Sequence, residues 1–413
     1  MNHLFNLLKN GKTAFHVVNE CIDYFTAQGF TMLEYEDEWN IQPYGKYMVS
    51  PYSSMLITFV VGENTKNLRI AAAHTDFPLL KLKPNSNIIK KGYLQANIET
   101  YGGLIKSSWF DRPLGLAGKV VTAGNDIFSP CVHLYDSKKP LFIIPNIAPH
   151  LNKNKATEID VQKEMLPIAA MTSDYSCYTD NLLMSYIASE LTIQESDILD
   201  YDLYLYIYDE PKLFGLKDEF IASSRIDNIS SVAAISKALA ETKVNDSIIV
   251  GAFFDNEEIG SRSKQGADSP ILKNVLDKLS KYVNLPTNAF SISVDVAHAT
   301  NPNYTEKSDP TNTCILGNGV VLKTSATQRY VTDSEASAVF INLCRENKII
   351  YQRSVNHSNI TGGQTLGPIM SSYLPIKGVD IGIPVLAMHS AIETAQKNDY
   401  EELVKLLTAY FSY

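Results

Sequence analysis

Residues 247–258 read SIIVGAFFDNEE, a continuous apolar run that stops at Asp255, Asn256, Glu257 and Glu258. A run this short, apolar at successive rather than alternate positions, is the pattern of a strand buried on both faces, as in a parallel sheet covered by helices. Adjacent glutamates usually lie on a solvated surface. Directly after a core strand, a carboxylate pair is costly to bury without a metal or cation beside it, so this stretch predicts a strand that delivers carboxylates to a site. The same arrangement recurs outward in both directions. Leu68–Ala73 runs into His74-Thr75-Asp76, Ala289–Val294 into Asp295, and Ile383–Met388 into His389. Four apolar strands therefore each end at a carboxylate or an imidazole.

The intervening segments fit an α/β fold. Ala14, Val17, Val18, Cys21, Ile22 and Phe25 fall at helical spacing with Gly29 as a left-handed stop. A second helical pattern begins at Asn228, and Met55–Val61 reads as another buried strand. Beyond Pro84 the texture changes to short strand-like pieces separated by Gly, Asn, Pro and Lys. We expect a β-rich module here, ending near Phe214 and including a strand over Tyr201–Tyr208. The polar stretch Leu151–Asp180 is expected to be a surface excursion.

Composition removes several classes. The chain has 413 residues, 45% hydrophobic and 20% charged, ordinary for a globular enzyme of two or three domains. No apolar run reaches the roughly 18 residues of a membrane span. The N-terminal residues lack the apolar core and cleavage site of a secretion signal. The cysteines at 21, 131, 177, 314 and 344 form no close pair, which fits a reducing cytoplasm. A formal charge of −9 argues against nucleic acid as a partner.

In open α/β sheets, ligands gather beyond the carboxyl ends of the strands, so residues distant in sequence can meet there. Imidazoles with several carboxylates suit zinc. A carboxylate whose two oxygens face two ions suits a bimetal site, and Asp227 in RIDN (225–228) is the candidate bridge, although alone it could equally cap the helix that follows. His74 alone could be a hydrogen-bonded structural residue. Only the joint pattern favours metal.

The order HTD (74–76), RIDN (225–228), DNEEIGS (255–261) with QGA (265–267), SVDVAHA (293–299) and MHSAIET (388–394) resembles the aspartyl aminopeptidase family of co-catalytic zinc metallopeptidases. The resemblance extends to FHVV (15–18), WFDRPLGLAGKV (109–120), IPNIAPHLN (144–152), LKTSATQRY (322–330) and GGQTLGPI (362–369). It implies a mixed-sheet α/β peptidase domain with helices on both faces, residues 1–87 and 216–413, interrupted by a barrel-like β-rich oligomerisation domain at 88–215. It also implies two zinc ions per chain, with cobalt or manganese as substitutes. His74 and Asp295 would complete one site, Glu258 and His389 the other, and Asp227 would bridge them. The catalytic pair would be Glu257, as general base, and Asp76, orienting the His74 ring.

By the same resemblance, small peptides lose their N-terminal residue, Asp or Glu being preferred. His298 and Lys323 would bind substrate, Lys323 being the cation for an acidic side chain, and His150 would reach a neighbouring subunit's site in a dodecamer built from dimers. The chain departs from many relatives at Asn301 of NPNY (301–304) and at Gln364 of the glycine loop, both near the family's substrate pocket. An apolar or broad preference, or a zinc carboxypeptidase or amide deacylase, is the alternative within this architecture. A non-catalytic scaffold would have lost Glu257 or a ligand.

Overall fold

A computed structural model describes residues 1–151, 158–175, 181–244 and 246–413. Helices α1 (Asn2–Asn10) and α2 (Ala14–Ala27) lead into strands β1 (Thr31–Met32), β2 (Lys46–Val49), β3 (Leu56–Val61) and β4 (Asn67–His74). The chain then forms β5 (Leu79–Lys90), β6 (Tyr93–Tyr101), β7 (Pro113–Asp126), β8 (Ser129–Asp136), β9 (Phe142–Ile143), helix α3 (Val161–Glu164), β10 (Ile168–Met171), helix α4 (Leu182–Leu191) and β11 (Ile198–Ile207). After β12 (Lys212–Phe214) and β13 (Phe220–Ser223) come α5 (Ile226–Glu241), β14 (Ser247–Phe254), α6 (Ile271–Leu279), β15 (Asn288–Val294), β16 (Ala297–His298) and β17 (Val320–Lys323). The last elements are α7 (Ser334–Glu346), β18 (Tyr351–Ser354), α8 (Leu366–Ser371), β19 (Lys377–Gly382), β20 (Pro384–Leu386), β21 (Glu393–Gln396) and α9 (Lys397–Ser412).

Two compact units result. The first comprises Met1–Phe77, Pro211–Met388 and Ile392–Tyr413. Its main sheet has the order β1-β2-β3-β14-β4-β15-β19-β17-β18 and is mixed: β14 and β15 flank β4 in parallel, whereas β3 pairs antiparallel with β14. Every residue of β14 is buried, as its unbroken apolar run predicts. Helix α5 is buried along nearly its whole length, packing against β4, β14, α1 and α9. A helix buried on all sides is apolar or small all round; here Ile229, Val232, Ala233, Ile235 and Leu239 fill the role. A smaller sheet, β12-β13-β21-β20-β16, belongs to the same unit.

The second unit comprises Pro78–Glu210 with the short segment His389–Ala391. Strands β11, β5, β6, β10, β9 and β7 pair in that order, and β7 pairs with β11 to close a six-stranded barrel, with β8 on its outer side. Closing a sheet into a barrel pairs strands that would otherwise be edges. Gly118 explains part of the tight β7–β11 pairing: at φ +150° a Cβ there would stand 2.0 Å from the Asp202 carbonyl oxygen.

Three expectations need adjusting. The barrel takes in residues from Pro78, ten before the expected boundary, because β5 is one strand from Leu79 to Lys90. The polar stretch Leu151–Asp180 is not solely a surface excursion, since β10 pairs with β6 and β9 within the barrel, while residues 152–157 and 176–180, including Cys177, lie outside the described residues. Ile383–Met388 is not one strand of the main sheet. The main-sheet strand is β19, and β20 pairs only in the smaller sheet. The crossing occurs at Gly382, where a Cβ would meet the Asp295 carbonyl oxygen at 1.7 Å.

Candidate metal centre

Three parallel strands set the geometry. Phe254 of β14 is in register with His74 of β4, and Ser293 of β15 with Ala72, so His74, the Asp255–Glu258 turn and Asp295 leave the sheet at the same edge. Opposite that edge Asp227 stands at the start of α5, where Arg225 turns the chain with φ 65° and the Asp227–Asn228 peptide is cis.

His74 is 1% exposed. Its Nδ1 lies 3.0 Å from the Asp76 carbonyl oxygen. A carbonyl can only accept, so Nδ1 carries the proton and Nε2 offers its lone pair on the other side of the ring. What Nε2 faces is two further acceptors, Asp227 Oδ1 and Asp295 Oδ1, each at 3.5 Å. Three lone pairs converging in a buried space require a cation among them. With a proton as the only cation, burial pushes the His74 pKa down but the carboxylates of Asp227, Asp295 and Asp76 outweigh it, and the pKa lies well above its ordinary value. A divalent metal meets the same requirement with the donors zinc accepts. Ligand atoms of His74, Asp227 and Asp295 lie within 4.8 Å of one another, as do those of His74, Glu257 and Glu258.

Asp76 organises the second strand end as well as the first. Its Oδ1 accepts from the Glu257 backbone N–H and its Oδ2 from that of Glu258, both at 3.1 Å. One carboxylate thus fixes both glutamates and, through its own backbone, the tautomer of His74. Burial raises the Glu257 pKa well above its ordinary value; His74 opposes this, while Asp295, Glu258 and Asp76 add to it.

Asp295 is held from the far side. Lys323 Nζ lies 3.3 Å from Asp295 Oδ2 and donates to the Val296 carbonyl at 2.9 Å. Burial pushes the Asp295 pKa up, but Lys323 and His74 hold it below the ordinary value. Lys323 is itself 3% exposed, and Asp295 keeps it charged against its burial.

The first unit therefore brings together His74, Asp76, Asp227, Glu257, Glu258, Asp295 and Lys323. His389 follows Met388 by one peptide bond and is counted with the second unit, where its Nδ1 lies 2.7 Å from the Gly103 carbonyl oxygen. That contact likewise leaves Nε2 as the ring's acceptor. His298 ends β16 and is exposed, and His150 lies on an exposed turn of the second unit. Two further buried acids were given no role from the sequence: Glu393, which lies within the MHSAIET motif and accepts from the Asp227 N–H at 3.0 Å, and Asp380, a lone acid in a mixed segment, which accepts from Thr365 Oγ1 at 2.6 Å.

The family described as Aminopeptidase I zinc metalloprotease (M18) matches residues 7–411. The chain belongs to the M18 family. It is 38% identical over 425 residues to the probable M18 family aminopeptidase 2 of Clostridium novyi, covering 100% of this chain and 98% of that one. Among solved structures, the cryo-EM structure of the Ape4 and Nbr1 complex contains a chain 30% identical, with a TM-score of 0.94 over 99% of this chain and 84% of that one. The S. cerevisiae mApe1 dodecamer shares the fold at 23% identity, with a TM-score of 0.85 over 99% of this chain and 95% of that one. This M18 chain is accordingly a zinc metallopeptidase and an aminopeptidase. Among the described residues, no helix is long and apolar enough to cross a membrane.

Proposed function

We propose that this M18 aminopeptidase removes N-terminal residues, preferentially Asp or Glu, from small peptides at a two-zinc centre. His74 and Asp295 would hold one ion, Glu258 and His389 the other, and Asp227 would be a ligand to both. The observation that carries this reading is the meeting of the His74 Nε2 lone pair with carboxylate oxygens of Asp227 and Asp295 in a buried space. Zinc, when bound, lowers the pKa of a coordinated water towards neutrality and polarises the scissile carbonyl.

The remaining chemistry belongs to the chain. The Glu257 carboxylate takes the proton from the attacking water and returns it to the departing amine. Asp76 keeps Glu257 and Glu258 in place through their backbone N–H groups and keeps His74 in the tautomer that can ligate. Asp295 stays ionised because Lys323 stands beside it. The surplus of acidic groups also favours a protonated α-amine, so the centre recognises the free end of a peptide. An acidic N-terminal side chain brought out of water needs a cation; Lys323, buried, charged and next to Asp295, is our assignment, and His298 is a further substrate contact.

We assign the barrel unit to assembly, in line with the dodecameric yeast relative, with exposed His150 reaching a neighbouring protomer's centre. Among the described residues, Cys21, Cys131, Cys314 and Cys344 are unbridged, which suits a reducing cytoplasm. A panel of Asp, Glu, Ala and Leu amides, each with a free and an acetylated N-terminus, tests the reading when zinc content is measured alongside. Turnover of acetylated substrates at the rate of free ones would move the protein to the deacylases or carboxypeptidases.

A further inference from the structure

Glu393 is 2% exposed, on β21, and its Oε2 accepts from the Asp227 backbone N–H at 3.0 Å. A carboxylate so deeply buried is costly to keep unless donors satisfy its oxygens, and here the donor is the backbone of a residue read as a metal ligand. The position it serves is specific. Asp227 lies in the first turn of α5, where backbone N–H groups have no partner within the helix. Asp227 and Asn228 also depart from helical geometry, with ψ 108° and φ −120° respectively, so the helix does not itself fix the Asp227 side chain.

The neighbouring residue is tied down separately. Asn228 Nδ2 donates to the Val294 carbonyl at 2.9 Å, one residue before Asp295. Strand β21 brings Glu393 opposite Ser223 of β13, two residues before the Arg225 turn. The turn that presents Asp227 is thus gripped from two strands, by Asn228 towards β15 and by Glu393 from β21.

We propose that Glu393 is a positioning residue of the metal centre: its carboxylate fixes the Asp227 backbone so that the Asp227 side chain can serve two ions, and its loss weakens metal retention without unfolding the chain. This rests on the reading of Asp227 as a ligand. The hydrogen bond, rather than the charge, is the operative element, so Glu393→Gln, which keeps an acceptor oxygen, retains the function, whereas Glu393→Leu loses it.

The test measures zinc per chain and apparent zinc affinity by chelator competition, together with kcat, KM and the melting temperature of the metal-free protein. Glu393→Leu is expected to lose about 10- to 100-fold in zinc affinity, the range for residues that orient ligands, with kcat falling while KM changes little. Glu393→Gln should recover most of both. If Glu393→Leu does not fold, Glu393→Asp, one methylene shorter, is expected to show the same loss of zinc. Wild-type zinc affinity in Glu393→Leu or, failing that, Glu393→Asp overturns the proposal, as does a Glu393→Gln variant as impaired as Glu393→Leu. Asp227→Asn separates the two readings: full zinc retention there removes Asp227 as a ligand, whereas defective retention there with normal retention in the Glu393 variants removes only the role of Glu393.

Discussion

Replacing Asp76 by Asn separates charge and acceptor capacity from shape. The ionised carboxylate accepts from two backbone N–H groups, those of Glu257 and Glu258, each at 3.1 Å. An Asn side chain offers one acceptor oxygen and one NH2, so at best one of these bonds survives and the other N–H faces a donor. A hydrogen bond to a charged acceptor contributes about 1.5–3 kcal/mol, and each 1.4 kcal/mol is about tenfold in rate. If the loss falls on the geometry of the reacting state, kcat drops about 10- to 150-fold. His74 should keep its tautomer, because the acceptor for Nδ1 is the Asp76 backbone carbonyl, which the substitution leaves in place. Zinc content should therefore fall less than turnover. The assay is steady-state turnover of an Asp amide at saturating zinc, with elemental analysis of the same preparation. A kcat within threefold of wild type at normal zinc content would refute the argument that Asp76 holds the two glutamates for catalysis.

Lys323→Met should lower kcat/KM for all substrates by disturbing Asp295 and lower it at least about tenfold further for Asp and Glu amides, on the scale of a lost charge-assisted hydrogen bond; equal losses across the panel would remove Lys323 from substrate recognition. Asp399 offers a pH test away from the centre. It is fully buried and accepts from Gly317 and Gly319, and burial lifts its pKa from 3.8 to about 6. A group raised on folding contributes stability that is complete below its unfolded pKa and lost as pH rises through its folded one. At about 1.4 kcal/mol per unit, the effect reaches at most ~3 kcal/mol between pH ~4 and ~6. Asp399→Asn should therefore remove that share of the decline, measured as urea midpoints at pH 4.5 and 7; parallel profiles for the two proteins would contradict it.

The strand ends at His74, Phe254 and Val294 were legible because a fully buried parallel strand must be apolar throughout, and a polar residue that breaks the run is conspicuous. Helix α5 was legible from Ile229 onward for the same reason. What the sequence concealed was the path near His389. The run Ile383–Met388 looks like its counterparts, but β19 had already supplied the main-sheet strand and Gly382 redirects the chain past Asp295, a close approach that exists only in three dimensions. Strand β10 has no sequence signature because Ile168–Met171 is too short to carry a period. The motif MHSAIET includes Glu393, but its contact with the Asp227 N–H, like the hold of Asp76 on two glutamates, has no sequence spacing to announce it, because an acid that bonds to backbone amides leaves no periodic pattern. The charge on Lys323 could be read in advance, but its engagement with Asp295 depends on the register of β17 beside β19.

Glu257 concentrates the account, since it stands beside three acidic neighbours, adjoins the ligand assigned to the second ion, and is given the one proton-transfer role. The most direct measurement is turnover and zinc stoichiometry of Glu257→Gln on the same intact protein. The variant should hold two zinc ions per chain and keep its fold, with turnover lowered by at least the roughly 10²-fold of a lost general base. Turnover near wild type would contradict it, and loss of bound zinc with Glu257→Gln would require Glu257 and Glu258 to exchange roles.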